Sequence, residues 1–118
     1  MKHFLLLLRA NIEMKPEAFT DPKEIESRLS WLEKIKNSGT VVDLGGTLPP
    51  TPLMGATIFA DGSIISGAFK EVSHFLTGYL VLQAESLENA LELAKDNPIL
   101  VAGGSIELRE IITRIKES

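Results

Sequence analysis

Two short runs of the sequence, residues 4–8 and 80–82, are apolar at every position. Each run is too short to favour a helix, and its side chains would point to both faces of a sheet, which is typical of a strand buried on both sides. One face can be covered by helices of the same chain. The other is covered most economically by a second copy across a two-fold axis, so the pattern predicts a homodimer.

Residues 21–39 carry the signals of one amphipathic helix. Asp21 is a good N-cap, Pro22 suits the first helical position and Glu24 completes a capping-box pattern. Gly39 is a typical C-terminal stop. One apolar stripe is predicted to face the core, with Trp31 on its flank, and its members recur at intervals of four and three residues: Ile25, Leu29, Leu32 and Ile35.

The middle of the chain predicts a strand, a loop and a hairpin. A short strand is expected at residues 40–44. Residues 45–55 contain too much Gly and Pro for a helix or a central strand, so they predict an exposed loop, either a flap over a site or a dimer arm. The pair Asp61-Gly62 then predicts a hairpin with a type I′ turn.

The last third predicts a strand, a helix and a strand. Residues 78–85 form the buried strand, and Ser86 caps a helix that ends before Asn97-Pro98. Its apolar face comprises Leu87, Ala90, Leu91 and Ala94. The closing strand alternates the apolar residues Ile106 and Leu108 with the polar residues Ser105, Glu107 and Arg109.

The order of these elements is strand, helix, strand, hairpin, strand, helix, strand. This is an α+β plan of the ferredoxin-like, split βαβ kind with an inserted β-hairpin. A length of 118 residues fits one domain over residues 1–118, long enough to bury a core without metal or disulfide support.

Composition excludes several classes of protein. The net charge of −4, with no Lys or Arg between Lys36 and Lys70, argues against nucleic-acid binding. With no Cys there is no thiol chemistry, and two distant histidines make no metal site. The glycine pairs lack phosphate-loop and dinucleotide motifs, so no cofactor is expected. No run could span a bilayer and no signal cleavage site follows the first apolar run, which predicts a cytoplasmic protein.

Residues 66–111, from SGAF through GYLVLQAE to GGSIELREI, resemble the YCII-related family in its DGPF-domain branch. The first strand and the helix that bears Trp31 fit the same pattern, so the resemblance covers nearly the whole chain. It implies a dimeric α+β barrel with a cleft between two sheets and a small-molecule role. In relatives an Asp of the Asp-Gly-Pro-Phe turn belongs to the proposed acid/base centre.

This chain departs from the family at that turn. Ser66 and Ala68 stand where the Asp and Pro would be, while Gly67 and Phe69 remain. An isolated serine hydroxyl does not titrate near neutral pH, so Ser66 favours a structural turn over a reacting group. Gly67 is expected to supply backbone freedom and Phe69 an apolar anchor. Both Ser66 and Phe69 stay candidates for contact with a ligand.

The closing strand offers the most chemistry. Glu107 and Arg109 share one face, and if the apolar set packs on the helices, the polar set faces the dimer cleft. Arg109 could bind a substrate carboxylate while Glu107 acts as a base. The alternative, which the residue types favour, is an ion pair that holds the strands in register.

The other candidates are single side chains. His3 and Arg9 share a face of the first strand, where His3 could act as a base and Arg9 could contact a ligand, although a hydrogen-bonded strand-end histidine is the simpler interpretation. Tyr79 could hydrogen-bond a ligand or be a strand aromatic. His74 is expected in a loop.

Two functions follow from these residues. The first, slightly favoured because Ser66 replaces the Asp, is a non-catalytic protein that binds a small molecule, with carboxylates as one candidate class. The second is an enzyme that transfers protons to or from a small organic acid, with Glu107 or His3 as base and Arg109 holding the anion.

Overall fold

The chain builds one antiparallel sheet with helices on one of its faces. The computed structural model describes residues 1–13, 21–49, 52–69 and 73–112. Its elements are β1 (Lys2–Asn11), α1 (Pro22–Asn37), β2 (Val41–Thr47), β3 (Ala56–Ile58), β4 (Ile64–Ser66), β5 (His74–Ala84), α2 (Leu87–Ala94), α3 (Pro98–Val101) and β6 (Ser105–Glu110), with a 3₁₀ turn at Pro52–Met54. No helix in these ranges is long and apolar enough to cross a membrane.

The sheet has four strands in the order β2-β5-β1-β6, and each neighbouring pair is antiparallel. The two apolar runs of the sequence lie on β1 and β5, which are the two central strands of this sheet. This order with two crossover helices is the ferredoxin-like α+β fold, so the predicted fold class is confirmed. Strands β3 and β4 form a separate two-stranded sheet, which is the inserted hairpin.

The core lies between the sheet and the helices. Alternate residues of the central strands are almost fully buried against α1 and α2, and the two clusters they form comprise Leu6, Trp31, Ile35, Leu80, Leu82 and Ala94, and Phe4, Ala84 and Ala90. Ile106 and Leu108 of β6 pack beside them. Glu107 and Arg109, which alternate with these two residues, therefore point to the opposite face, as predicted.

Helix α1 begins and ends where its caps predicted. The Asp21 carboxylate accepts a hydrogen bond from the Lys23 amide at 2.8 Å, and Gly39 follows the helix with φ of 77°. The predicted core stripe is confirmed in part: Ile35 is buried and Leu32 packs against the core, but Ile25 and Leu29 are exposed. Trp31, predicted on the flank of the stripe, is buried. At 100° per residue, Leu29 lies about 120° around the axis from Ile35, but Trp31 lies only about 40° from it. The four residues of the stripe span too wide an arc of the helix for all of them to face the core together.

Strand β2 is longer than predicted and includes Gly45 and Gly46. It is an edge strand with two register shifts against β5, and glycine is well suited to such bulges. Gly45 has φ of 63°, and a Cβ atom there would lie 1.9 Å from the Tyr79 carbonyl oxygen. The predicted loop therefore begins after Thr47, and residues 50–51 of it lie outside the described residues.

The hairpin turn has a different geometry from the predicted type I′. Only Gly62 has positive φ, at 89°. Its amide donates to the Phe59 carbonyl at 2.9 Å, and the Phe59 amide donates to the Ser63 carbonyl at 2.8 Å. A loop of three residues, in which a type I turn is followed by a left-handed glycine, explains both bonds. Asp61 keeps negative φ and accepts from the Ser63 amide instead.

Three smaller expectations change in the last third of the chain. Ser86 does cap α2, but Leu87 and Leu91 of its predicted core face are exposed. The short helix α3 was not predicted; Asn97 caps it by accepting from the Ile99 amide at 2.9 Å. His74 is the first residue of β5 rather than a loop residue, and its Nδ1 lies 2.7 Å from the Ser73 hydroxyl.

Candidate functional site

The face of the sheet opposite α1 and α2 carries most of the predicted site residues, and we call it the open face. Strand pairing arranges its side chains in rows across the sheet. One row joins Gly46, Tyr79, Leu7 and Glu107. The next joins Asp43, Val81, Leu5 and Arg109, and a third joins Leu76, Arg9 and Ser105. The rows are therefore apolar at their centre, with charged residues at Asp43 on β2, at Arg9 on β1 and along β6.

Arg9, Glu107 and Arg109 form one charged cluster on the open face. The Arg9 Nη1 atom donates to Glu107 Oε1 at 2.5 Å, and Arg109 Nη1 donates to the other carboxylate oxygen at 3.3 Å. The side chain of Arg9 is the least exposed of the three and that of Arg109 the most. One carboxylate thus holds two guanidinium groups beside the apolar centre.

The two arginines also determine how Glu107 titrates. The hydrogen bond from Arg9, and then the contribution of Arg109, hold the pKa of the Glu107 carboxyl below its ordinary value despite partial desolvation. A carboxylate with a lowered pKa is a weaker base than an ordinary one. This environment favours the interpretation of Glu107 as an ion-pair partner over that of a general base.

Tyr79 on β5 pairs with Gly46 of β2, which has no side chain. A Cβ atom at Gly46 would lie 3.9 Å from Tyr79 Cε1, so the tyrosine ring leans towards the β2 edge of the open face. The ring is partly exposed. Its position leaves the apolar side chains of Leu7 and Val81 between the ring and the charged cluster.

His3 lies at the far end of the open face from Arg9. It pairs with Gln83 of β5, and Arg109 pairs with Leu5, two residues further along β1. At about 3.3 Å per residue, the backbone position of His3 is roughly 7 Å along the sheet from the Arg109 row and 13 Å from the Glu107 row. The fold therefore brings His3 nearer to Arg109 than to Glu107.

Comparison with known proteins identifies the family of the chain. The model of the YCII-related domain matches residues 9–115. The chain belongs to the YCII-related family. A search of curated proteins found no significant match.

A solved structure shares the YCII-related fold described above. It is 5-chloro-2-hydroxyhydroquinone dehydrochlorinase (TftG) from Burkholderia phenoliruptrix AC1100, in complex with 2,5-dihydroxybenzoquinone. Sequence identity is 18%, the match covers 89% of this chain and 90% of that chain, and the TM-score is 0.50. The likeness concerns the fold.

Two predicted ligand residues of this YCII-related chain do not lie on the open face. Ser66 ends β4 and pairs with Ala56 in the hairpin, and Phe69 follows it with its side chain exposed. Phe69 is thus not an anchor within the described chain. Gly67 between them has φ of 95°, and its amide donates to the Gly55 carbonyl at 2.8 Å. The hairpin base is closed by glycine, as predicted.

A polar cluster on the helix side was missed by sequence reasoning. The Trp31 Nε1 atom donates to Asp96 Oδ1 at 2.9 Å, and Lys34 pairs with the other oxygen. Lys34 first, and Trp31 next among the favourable contacts, hold the Asp96 pKa below its ordinary value. The residues are more than 60 positions apart, so no local spacing signals the contact. In the described ranges no group of His, Asp and Glu could hold a metal ion.

Proposed function

We propose that the chain is a homodimer that binds a small organic anion in a cleft between two open faces. The observation that carries this proposal is the composition of the open face, where Arg109 borders an apolar floor of Leu5, Leu7 and Val81. Such a surface can hold the apolar body of a ligand and its charged group at the same time.

The homodimer is supported by the apolar residues on both faces of the central strands. Leu5, Leu7 and Val81 are partly exposed in one chain, and removing apolar surface from water contributes roughly 25 cal/mol per Å² against the costs of association. A two-fold axis would bring the same three residues of two chains together. The cleft would then lie where the charged edge of each open face meets its partner.

The ligand class is supported by the exposure of Arg109 and by its long hydrogen bond. Its side chain is 70% exposed and its hydrogen bond to Glu107 is long, at 3.3 Å. A guanidinium has five N–H donors in a fork that matches a carboxylate, so Arg109 can accept an anion without leaving Glu107. The dehydrochlorinase with this fold holds 2,5-dihydroxybenzoquinone, a small oxygenated ring, which supports the same size and polarity of ligand here.

Binding without turnover is the better supported of the two functions. Glu107 has a lowered pKa because of Arg9 and Arg109, and Ser66 replaces the carboxylate of the family turn. The enzymatic alternative is favoured by the dehydrochlorinase activity of the structural relative. In that alternative His3 is the base and Arg109 holds the anion.

A thermal-shift screen tests the ligand class. Wild type, Arg109→Ala and Lys2→Ala would be heated with benzoate, aliphatic carboxylates and 2,5-dihydroxybenzoquinone. Lys2 is the matched control, because its contact with Glu110, at 3.7 Å, lies on the other face of the sheet. A ligand at a hundredfold excess over Kd stabilises the fold by roughly 2.7 kcal/mol. We expect a shift in wild type and Lys2→Ala that Arg109→Ala loses. An equal shift in all three would contradict the site.

Light scattering tests the dimer independently of any ligand. We expect wild type and Leu29→Asp to have the mass of two chains and Leu7→Asp that of one. Leu29 is a suitable control since it is an exposed leucine on α1. A monomeric wild type would refute the dimer. Consumption of a bound carboxylate that requires His3 would instead favour the enzyme.

A further inference from the structure

The hairpin of residues 55–69 carries several large apolar side chains that are exposed to solvent. Ile58 is 72% exposed and Ile64, which pairs with it, is 65% exposed. Phe59, Ile65 and Phe69 are exposed as well. An isolated hairpin is marginally stable in water. Ile58 and Ile64 form an exposed cross-strand apolar pair on one face of the hairpin, and exposed apolar surface of this kind is typical of an interface.

The hairpin does not lie over the open face of its own chain. The chain measures 44 × 39 × 20 Å along its principal axes. The shortest dimension, 20 Å, matches the thickness of one sheet and one layer of helices. A hairpin stacked on the open face would add about 10 Å to that thickness. Among the described strands, β3 and β4 pair only with each other. The hairpin is therefore a separate sheet that is not stacked on the open face.

Hydrogen bonds within the hairpin hold its shape. The Asp61 carboxylate accepts from the amide and the hydroxyl of Ser63, at 2.9 and 2.7 Å. At the base, the Thr57 hydroxyl donates to the Gly67 carbonyl at 3.1 Å. A segment that is already ordered loses little conformational entropy when it binds.

We propose that each hairpin packs on the rim of the partner subunit's open face and closes the ligand cleft there. This inference rests on the proposed homodimer and adds that each cleft is incomplete without a second chain. It also explains why the candidate ligand residues form two separate groups. Ser66 and Phe69 would reach the cleft from one chain, and Arg109, Glu107 and Tyr79 from the other.

A second copy is the occupant that the surfaces favour. Each chain has one uncovered apolar hairpin and one uncovered apolar sheet face, so a two-fold dimer covers both, whereas a foreign partner would cover one. Charge is complementary too. Asp61 is the only charged residue among residues 55–69, and the charged cluster of Arg9, Glu107 and Arg109 has a net positive charge.

The absence of Cys from the sequence allows a clean cross-linking test. One tagged chain would carry Ser66→Cys, and a differently tagged, co-expressed chain would carry Ser105→Cys or Gln83→Cys, at opposite ends of the open face. Doubly purified heterodimers would be treated with a bismaleimide that spans about the 10 Å between packed sheets. The control partner carries Glu33→Cys on the exposed surface of α1.

We expect cross-linked heterodimers with one or both open-face positions and none with the Glu33 position. If light scattering shows intact dimers without cross-links to either open-face position, the hairpin inference is wrong while the dimer stands. If no heterodimer can be isolated and wild type is monomeric, the hairpin inference and the proposed homodimer are both wrong. The thermal-shift screen then tests ligand binding by the single chain.

A second measurement does not depend on cross-linking. Ile64→Asp should raise the dimer dissociation constant at least tenfold because it buries an unpaired charge, whereas Val101→Asp, at an exposed position of α3, should leave it unchanged. Equal dissociation constants for the two variants, measured by sedimentation, would overturn the inference.

Discussion

Arg9 and Glu107 join the central strand β1 to the edge strand β6, with Nη1 of the arginine 2.5 Å from Oε1 of the glutamate. The two residues lie diagonally across the strand pair, since Arg9 pairs with Ser105 and Glu107 with Leu7. Diagonal neighbours are within reach of long side chains. The contact therefore contributes to holding the edge strand in register.

Replacing Glu107 by Gln should reduce the free energy of unfolding by about 1 kcal/mol or less, as is usual for a partly exposed ion pair. The lowered pKa of Glu107 means that this contribution is present above the ordinary pKa of 4.5. It is lost as pH falls through the folded-state value. Urea unfolding near neutral pH and in steps below pH 4.5 would measure the difference between wild type and variant.

Glu110→Gln is the matched control for this prediction. Glu110 is on the same strand, its side chain is as exposed as that of Glu107, and its distance to Lys2 is longer, at 3.7 Å. We expect a smaller loss of stability. A Glu107→Gln variant that is as stable as wild type at neutral pH would contradict the structural role of the ion pair.

Gly45→Ala should be strongly destabilising, by more than about 2 kcal/mol. A Cβ atom there meets the Tyr79 carbonyl oxygen at 1.9 Å and the φ of 63° is unfavourable for alanine. Gly46→Ala should be nearly neutral, since its nearest contact would be 3.9 Å from the Tyr79 ring. Thermal and urea unfolding of the two neighbours would check this, with Gly39→Ala isolating the cost of positive φ in open space. Similar losses at positions 45 and 46 would be inconsistent with the bulge.

Trp31→Phe should cost about 1 to 2 kcal/mol of stability, because it removes the hydrogen bond to a charged acceptor and leaves less of the indole site filled. Lys34→Ala should cost less, because its ion pair with Asp96 is exposed. The lowered pKa of Asp96 adds stability above the ordinary value of 3.8 that is lost as pH falls through the folded-state value. Urea unfolding of these variants and of Asp96→Asn would measure each contribution.

Trp31 is the only tryptophan of the chain, so its fluorescence also reports on this cluster. We expect an acid titration of wild type to change the emission below pH 3.8, and Asp96→Asn to lack that change. Identical titrations of the two proteins would argue that the indole does not contact Asp96.

Ile35→Ala should cost about 2 to 5 kcal/mol and Leu29→Ala less than about 0.5 kcal/mol. Both residues belong to the stripe that helical periodicity predicts, but Ile35 is 2% exposed and Leu29 is 61% exposed. The pair separates burial from periodicity within one helix. Denaturant midpoints would measure the difference, and equal losses would show that Leu29 is buried, as it could be if a partner covered α1.

Local signals predicted the caps of the two longer helices and the alternation of the closing strand correctly, but not the geometry of the turn at Asp61-Gly62 or the short helix α3. The caps at Asp21 and Ser86 needed only side chains two or three residues away, and the alternation at residues 105–109 needed only the two-residue period of a strand. The fold class followed from the order of such elements. The same signals placed Glu107 and Arg109 on the face that turns away from the helices.

Contacts between distant residues were beyond those signals. The wide apolar stripe of α1 was compatible with several orientations, and the contact of Trp31 with Asp96 selects one of them. The sequence around Gly45 and Gly46 is typical of a loop, but both residues belong to a strand that pairs with β5. The sequence also grouped Ser66 with Arg109 as candidate ligand residues, but Ser66 lies in the separate sheet of the hairpin.

The sequence by itself determined the caps of the two longer helices, the order of the main helices and strands, and which residues alternate along the strands. These properties depend on backbone geometry and on the hydrophobic effect acting over one or two turns of chain. Only the tertiary structure decided which side of α1 is buried, where Gly45 lies, and that Arg9 binds Glu107. Those outcomes depend on packing between segments far apart in the chain, where a shift of one residue or a rotation of the helix changes every contact.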